Sequence, residues 1–134
     1  AAVFLFGAFI SFSTGSSWGT FAIMMPLAIP MAHAFGIPFY IAVGAVLSGG
    51  LFGDHCSPIS DTTILSSTGA GCGLVEHIKT QLPYAAVNGT IAFIAYIITG
   101  LTGSEAALGF AVIALIVVMA VLNRISAARL AGKE

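Results

Sequence analysis

Residues 53–61 read Gly-Asp-His-Cys-Ser-Pro-Ile-Ser-Asp, and this stretch decides how the chain folds. It places two carboxylates and an imidazole inside a sequence that is otherwise apolar enough to lie in lipid. An ionisable side chain at the centre of a membrane costs at least ~2.5 kcal/mol on insertion scales, so it persists mainly where it faces a cavity, a partner or an ion. Asp54 and Asp61 are therefore the first candidate functional residues.

The composition of the chain is that of a membrane protein. Of its 134 residues, 58% are hydrophobic and only 7% are charged, and the mean hydropathy is +1.06. Soluble domains carry about 25% charged residues, so we predict an all-α polytopic membrane protein. Four basic residues are too few for the patch that nucleic-acid binding needs, and we expect no such partner. Cys56 and Cys72 show neither paired metal-ligand spacing nor a disulfide framework, and we interpret both as reduced packing residues.

The C-terminal part is predicted to form a transmembrane helical hairpin. Its two apolar spans, Tyr84 to Thr99 and Ala106 to Leu122, approach the ~17–25 residues that cross a bilayer, and a glycine-containing turn separates them. All four basic residues flank this hairpin on one side, whereas the turn carries only Glu105. The positive-inside rule then places Lys79 and the C-terminus in the cytoplasm.

A short amphipathic helix is predicted just before this hairpin. Residues 74–81 mix the ionisable side chains of Glu76, His77 and Lys79 with apolar ones and end before Pro83. Such a helix lies along the membrane interface. The chain then divides into a broken-helix region over 1–68, a cytoplasmic interfacial segment over 69–83, the transmembrane hairpin over 84–123 and a cytoplasmic tail over 124–134.

The region before residue 69 contains two interrupted apolar segments. Ala1 to Phe35 is interrupted at Ser13–Thr20, and Pro38 to Thr68 is interrupted at Phe52–Asp61. The apolar run 21–35 makes about 22 Å of helix, short of the ~30 Å hydrocarbon core. We therefore predict two discontinuous helices, the first crossing outward and the second returning, with re-entrant hairpins at the same places as the alternative. Either way, the irregular backbone must line a cavity or be buried in protein.

The second interruption carries the oxygen atoms that a small cation prefers. Glycines at 49, 50 and 53 loosen the helix, and Pro58 lacks the N–H that would bond the carbonyl of Asp54, so that carbonyl is predicted to be free. Two broken helices with unwound midplane segments are typical of coupled ion sites. The candidate Na⁺ ligands are Asp54, Asp61, Ser57, Ser60, Thr62 and Thr63, joined by hydroxyls of the first interruption at Ser13, Thr14, Ser16, Ser17 and Thr20.

The two carboxylates are predicted to exchange a proton for the cation. Desolvation and a neighbouring carboxylate both favour the protonated form of a carboxyl group, so H⁺ and Na⁺ would compete for the same oxygens. His55 is a candidate proton relay, with a purely structural hydrogen-bonding role as the alternative. A plain capping role at a half-helix N-terminus is the alternative for Asp54 and for Asp61.

These two interruptions also carry a family resemblance. Ser-Thr-Gly-Ser-Ser-Trp-Gly-Thr at 13–20 and Gly-Asp-His-Cys-Ser-Pro-Ile-Ser-Asp-Thr-Thr-Ile-Leu-Ser-Ser at 53–67 closely resemble the NhaC-type Na⁺/H⁺ antiporters. The resemblance implies a secondary antiporter of the ion-transporter superfamily, with inverted repeats, re-entrant hairpins and Ser/Asn/Thr-type motifs around Na⁺. Residues 60–62, Ser-Asp-Thr, look like a variant of that motif. Relatives include malate/lactate exchangers, so the resemblance leaves the cargo open.

Together these observations predict a Na⁺/H⁺ antiporter, not an enzyme, in the inner cell membrane. The run 1–12 has no Met or basic flank before it, so we expect a C-terminal fragment of a larger transporter. Its expected partners are Na⁺, H⁺, the lipid bilayer, the remaining N-terminal part and a second copy in a homodimer, with no cofactor. The first alternative is an organic-anion exchanger, although no basic residue sits at either interruption. The second is an intramembrane metal enzyme using Asp54, His55, Cys56 and Asp61, a set that does not match a usual zinc pattern.

Overall fold

The fold consists of six α-helices in the part of the chain that the computed structural model describes, residues 1–103 and 106–131. No strand occurs in that part. In chain order the helices are α1 (Ala2–Thr14), α2 (Ser17–Ala34), α3 (Phe39–Cys56), α4 (Asp61–Gly69), α5 (Leu74–Thr102) and α6 (Ala106–Ala131).

The first interrupted segment folds back as a hairpin. Helices α1 and α3 run parallel. Phe4 of α1 lies against Gly49 of α3, and Ala8, one turn later in α1, lies against Gly53, one turn later in α3. Helix α2 runs the other way, because Met24 and Ala28 pack near Val46 while the end of α2 meets the start of α3. The expectation that residues 1–35 cross in one direction is therefore wrong, and the re-entrant alternative describes the hairpin better.

The turn of the hairpin needs only two residues, far fewer than the eight predicted. Gly15 ends α1 in the left-handed conformation, with φ 68°. A side chain there would be strained, and its Cβ would lie 2.6 Å from the Ile59 carbonyl oxygen. Ser16 then caps α2, because its Oγ accepts a hydrogen bond from the N–H of Gly19.

Glycines let α1 and α3 approach backbone to backbone. A Cβ at Gly49 or Gly53 would overlap the carbonyl oxygen of Phe4 or Ala8. Phe4 is buried, and its ring stacks on Phe52 of α3 with the ring centroids 5.8 Å apart. The same ring lies 5.6 Å from that of Tyr96, so one aromatic side chain joins α1, α3 and α5.

The second interrupted segment is a discontinuous helix, as predicted. Helix α3 ends at Cys56, residues 57–60 are not helical, and α4 begins at Asp61. Ser57 is extended, as expected for a residue before proline. Helix α5 runs antiparallel to α3, because Gln81 contacts His55 while Tyr96 contacts Ser48. At 29 residues α5 is about 43 Å long, which matches the combined length of α3 and α4.

Two predicted boundaries in the C-terminal half differ from the structure. No separate interfacial helix ends before Pro83, since α5 is one helix from Leu74 and Pro83 lies within it. Proline removes one hydrogen bond, but packing of α5 against α3 and α4 stabilises the helix. Helix α6 likewise continues to Ala131, into the predicted tail. The predicted turn residues 104–105 and the last three residues of the chain lie outside the described part.

Two helices are long and apolar enough to cross a membrane among the described residues. These are α3 and α5, with mean hydropathies of 1.2 and 1.6 over 18 residues. Many large apolar side chains are exposed on the isolated chain, including Leu5, Phe6 and Phe9. Such surface is expected of a segment that contacts lipid or further protein.

Candidate ion-binding site

The two interruptions meet in space. The N–H of Asp61 donates to the carbonyl oxygen of Gly15 over 3.4 Å, and Gly15 packs against the backbone of Ile59. The tip of the α1–α2 hairpin therefore lies against the non-helical residues 57–60. Two helices end and two helices begin at this junction, so it concentrates backbone groups that have no partner within their own helices.

Asp54 is the buried carboxylate of this junction. It lies in the last turn of α3 and has 0% exposed surface. The Oγ of Ser60 donates to Oδ1 over 2.8 Å, and the Oγ1 of Thr62 donates to Oδ2 over 2.7 Å. The same two hydroxyl oxygens lie 2.8 Å from each other. The carboxyl group and the two hydroxyls thus form a closed ring that bridges α3 and α4 across the break.

Asp61 has a different environment from Asp54. It is exposed at the first turn of α4, and its Oδ1 accepts a hydrogen bond from the N–H of Thr62 over 2.8 Å. The expectation that both carboxylates share one desolvated cavity is therefore wrong for the described chain. Burial distinguishes them, because the helical period turns Ser60 and Thr63 inward and leaves Asp61 outside.

The Asp54 carbonyl is not free, contrary to the sequence-based expectation. Pro58 does lack a hydrogen-bond donor, but the N–H of Ser57 donates to the Asp54 carbonyl oxygen over 3.1 Å. A tighter final turn replaces the missing helical bond. The side chain of Asp54 is therefore the stronger candidate ligand.

The predicted hydroxyls of the first interruption differ in burial and in hydrogen-bond partner. Ser13 and Thr14 are exposed and donate to the carbonyls of Phe9 and Ile10 over 2.8 and 2.9 Å, so their hydrogen bonds lie within α1. Ser16 caps α2. Ser17 and Thr20 are buried, and Thr20 donates to the Ser16 carbonyl over 2.9 Å.

Three further hydroxyls are buried near the junction. Ser57 has no exposed surface, and its Oγ accepts a weak bond from the N–H of Ile59 over 3.4 Å. Thr63 and Ser11 are also buried, and neither hydroxyl has a hydrogen-bond partner among the described residues. Ser11 was missed because it falls within an apolar run. Its signal is its position four residues after Gly7 and four before Gly15, on the face of α1 that contacts α3.

His55 faces away from Asp54. It is exposed, its Nδ1 lies 2.8 Å from the Leu51 carbonyl, and its own carbonyl accepts from Gln81 over 3.1 Å. It borders a separate cavity of about 410 Å³ between α3 and α5, together with Tyr84 and Asn88. The structure therefore does not bring the predicted proton relay to the Asp54 ring.

No group of three or more His, Cys, Asp or Glu side chains comes together within residues 1–103 and 106–131. The four neighbouring residues considered for a metal enzyme include an outward-facing His55 and an exposed Asp61, which do not converge on one point. Oxygen atoms dominate the junction, and such ligands suit hard cations that are not redox active.

Comparison with known proteins places this junction in a family. An uncharacterized protein of Haemophilus influenzae is 50% identical over 126 residues, which are 91% of this chain and 24% of that protein. The malate-2H⁺/Na⁺-lactate antiporter of Bacillus subtilis is 38% identical over 73 residues, 54% of this chain and 16% of that protein. The Na⁺/H⁺ antiporter NhaC of Alkalihalophilus pseudofirmus is 35% identical over 91 residues, 68% of this chain and 20% of that protein.

The chain spans about a quarter or less of the length of these relatives. No solved structure matches it. The model of the Na⁺/H⁺ antiporter family matches residues 1–101, which include both interruptions and the whole Asp54 ring. The resemblance to NhaC-type antiporters is thereby confirmed, and the chain belongs to the Na⁺/H⁺ antiporter family.

Proposed function

We propose that this chain supplies the ion-exchange site of a Na⁺/H⁺ antiporter, in which Na⁺ and H⁺ compete for Asp54. One observation carries the proposal: a fully buried carboxylate whose two oxygens contact two hydroxyls that also contact each other. A buried charge is costly unless it is paired. The site therefore favours one positive charge at Asp54, brought either by a proton or by a cation.

The ring has more oxygen–oxygen contacts than hydroxyl hydrogens. Three contacts of 2.7–2.8 Å join Asp54, Ser60 and Thr62, but the two hydroxyls supply only two hydrogens. The ring can therefore hold one further positive charge, from a proton or from a cation.

The same oxygens are suitable ligands for Na⁺. When the proton leaves, Asp54 becomes a charged ligand, and both hydroxyls can turn their lone pairs towards a cation. Because the ring binds through one negative charge, a proton and Na⁺ each neutralise it and exclude the other. Exchange then needs no covalent chemistry, in agreement with a transporter rather than an enzyme.

The alternative cargo comes from the relatives. One matching protein is named as a malate-2H⁺/Na⁺-lactate antiporter, so an organic acid could accompany the ions. The described hydrogen bonds of the Asp54 carboxylate come from hydroxyls only and include no basic side chain. This donor set favours a cation over a carboxylate substrate at this point of the structure.

The proposed setting is the inner cell membrane, with Lys79 and the C-terminus in the cytoplasm. Apart from Na⁺, H⁺ and lipid, the proposed partners are the rest of the transporter and a second copy in a homodimer. Helix α5 would then carry its N-terminal turns on the cytoplasmic side, and the α1–α2 hairpin would enter from the outer side.

The test is Na⁺-dependent collapse of a pH gradient, measured with the complete protein in vesicles. Asp54→Asn keeps the side-chain shape but removes the charge, so we expect exchange to be lost. Glu76→Gln, which changes an exposed carboxylate in the first turn of α5, is the control and should retain exchange. Exchange at the wild-type rate in Asp54→Asn would overturn the proposal. Exchange that requires added malate or lactate would favour the alternative cargo.

A further inference from the structure

Two buried hydroxyls at the junction have no described partner. Ser11 is 0% exposed and Thr63 is 2% exposed, yet neither side-chain oxygen makes a hydrogen bond among the described residues. Several other helical hydroxyls of this chain, including those of Ser13 and Thr14, bond to a carbonyl of the preceding turn. Ser67 does so over 2.9 Å on the same face of α4. Burying an unpaired hydroxyl is unfavourable, so both positions call for a ligand.

The helix register places Ser11 beside Asp54. In the parallel packing of α1 and α3, Ala8 contacts Gly53 and Gly15 contacts Ile59. Ser11 lies between these two contacts and on the same buried face of α1. Its hydroxyl therefore lies at the level of the residues that immediately follow Gly53, which are Asp54 and the non-helical break.

Thr63 approaches the same carboxylate from α4. Its N–H donates to Ser60 Oγ over 3.3 Å, and that same oxygen donates to Asp54 Oδ1 over 2.8 Å. Thr63 lies one helical turn after Ser60, so both side chains share the inward face of α4. One unpaired hydroxyl from the hairpin and one from the discontinuous helix thus lie at the level of the Asp54 ring.

We infer that Ser11 and Thr63 supply neutral oxygen ligands to the transported Na⁺ next to Asp54. This inference rests on the proposed exchange at Asp54 and extends it to the hairpin, which contributes Ser11. A hydroxyl oxygen can coordinate a cation without carrying charge. One carboxylate surrounded by neutral oxygens balances one positive charge, so the set suits a monovalent cation and leaves Ca²⁺ or Mg²⁺ under-neutralised.

The hydroxyls of Ser11 and Thr63 are not part of the Asp54 ring. Ser60 and Thr62 donate to the carboxylate, whereas no described hydrogen bond involves the side-chain oxygen of Ser11 or Thr63. Removing Ser11 or Thr63 should therefore change the response to Na⁺ and leave the ring itself intact. It should not weaken the fold either, because no described hydrogen bond is lost.

The experiment uses Ser11→Ala and Thr63→Val in the complete protein, with Thr63→Ser as the variant that keeps the hydroxyl and Ser67→Ala as the matched control. We expect each loss of a hydroxyl to raise the KM for Na⁺ by about tenfold, equivalent to about 1.4 kcal/mol, with little change in kcat. Thr63→Ser and Ser67→Ala should stay near wild type. Stabilisation by NaCl in a thermal unfolding assay should require higher concentrations in the first two variants, whereas unfolding without Na⁺ should be unchanged.

The outcomes separate this inference from the proposed function. A wild-type KM for Na⁺ in both Ser11→Ala and Thr63→Val, with exchange lost in Asp54→Asn, overturns the ligand assignment alone. Normal exchange in Asp54→Asn overturns both. A rise in KM for Na⁺ in Ser67→Ala as large as that in Thr63→Val also counts against the assignment, since it would show a general effect of altering the buried face of α4.

Discussion

Gly53 lies directly against the carbonyl oxygen of Ala8, so α1 and α3 touch backbone to backbone one residue before the buried carboxylate of Asp54. The contact fixes how far the α1–α2 hairpin extends along α3, and therefore where its tip lies relative to the non-helical residues 57–60. Any side chain at this position must push the two helices apart, because backbone atoms cannot rotate out of the way.

The first prediction follows from this contact. Gly53→Ala should destabilise the protein by about 1–3 kcal/mol through overpacking, and it should also reduce exchange by displacing Asp54. The control is Gly100→Ala, at a helical position with no neighbouring atom within 4 Å, where alanine should be neutral or stabilise by about 0.5–1 kcal/mol. Thermal unfolding in detergent compares the two variants. Equal melting temperatures would contradict the close-contact explanation.

The second prediction concerns the hydrogen-bond ring. Thr62→Val removes the hydroxyl that contacts both Oδ2 of Asp54 and Oγ of Ser60. Hydrogen bonds to charged groups contribute about 1.5–3 kcal/mol, so the KM for Na⁺ in the vesicle assay should rise by about tenfold or more.

Thr68→Val is the matched control for Thr62→Val, since Thr68 lies exposed on the same helix and bonds only to the Ile64 carbonyl. It should leave the KM for Na⁺ unchanged. A wild-type KM for Na⁺ in Thr62→Val would show that the Thr62 hydroxyl is not part of the site.

The third prediction separates the two aspartates. Asp61→Asn should retain Na⁺-dependent proton movement at saturating Na⁺, because Asp61 is exposed and its described bond is to the neighbouring N–H of Thr62. The measurement is Na⁺-dependent collapse of a pH gradient in vesicles, with Asp54→Asn assayed in parallel. Loss of exchange in both variants would return Asp61 to the exchanging role that the sequence first indicated.

The fourth prediction concerns the orientation of α5. Lys79 and Gly103 are 24 residues apart, about 36 Å along a helix, which exceeds the ~30 Å hydrocarbon core. Single cysteines at these positions, in a background without Cys56 and Cys72, should react with an impermeant reagent from opposite sides. We expect Lys79→Cys to react from the cytoplasm. Reaction of both from the same side would show that α5 does not cross.

The sequence was sufficient to predict the helical class and the two interruptions, the second of which contains Asp54. Charge inside an apolar run is a strong signal, and Pro58 with its glycines marks where a helix must stop. The direction of residues 1–35 was harder to predict, because Gly15 allows a sharp reversal in two residues and nothing local distinguishes that from a break. Pairing with α3 decides the direction, and such long-range packing leaves little trace in a single sequence.

Local sequence predicted some residues of the candidate site, and long-range packing decided the others. Ser60 and Thr62 were predicted because they lie in the polar stretch beside Asp54. Ser11 was missed because it lies within an apolar run and is buried by packing against α3, which comes about 40 residues later in the sequence. Asp61 was predicted to be buried because proximity in sequence was taken as proximity in space. At the start of a helix, adjacent residues point in different directions, and the helical period decides which one is buried.

The α1–α2 hairpin stops at the level of the break, and this has an electrical consequence. In the proposed arrangement, α4 continues beyond Asp54, and its nine residues span about 14 Å. A charge that crosses 100 mV gains or loses about 2.3 kcal/mol. If this short barrier insulates the site on one side, much of the membrane voltage falls beside Asp54. Voltage would then act directly on the entry and release of ions there.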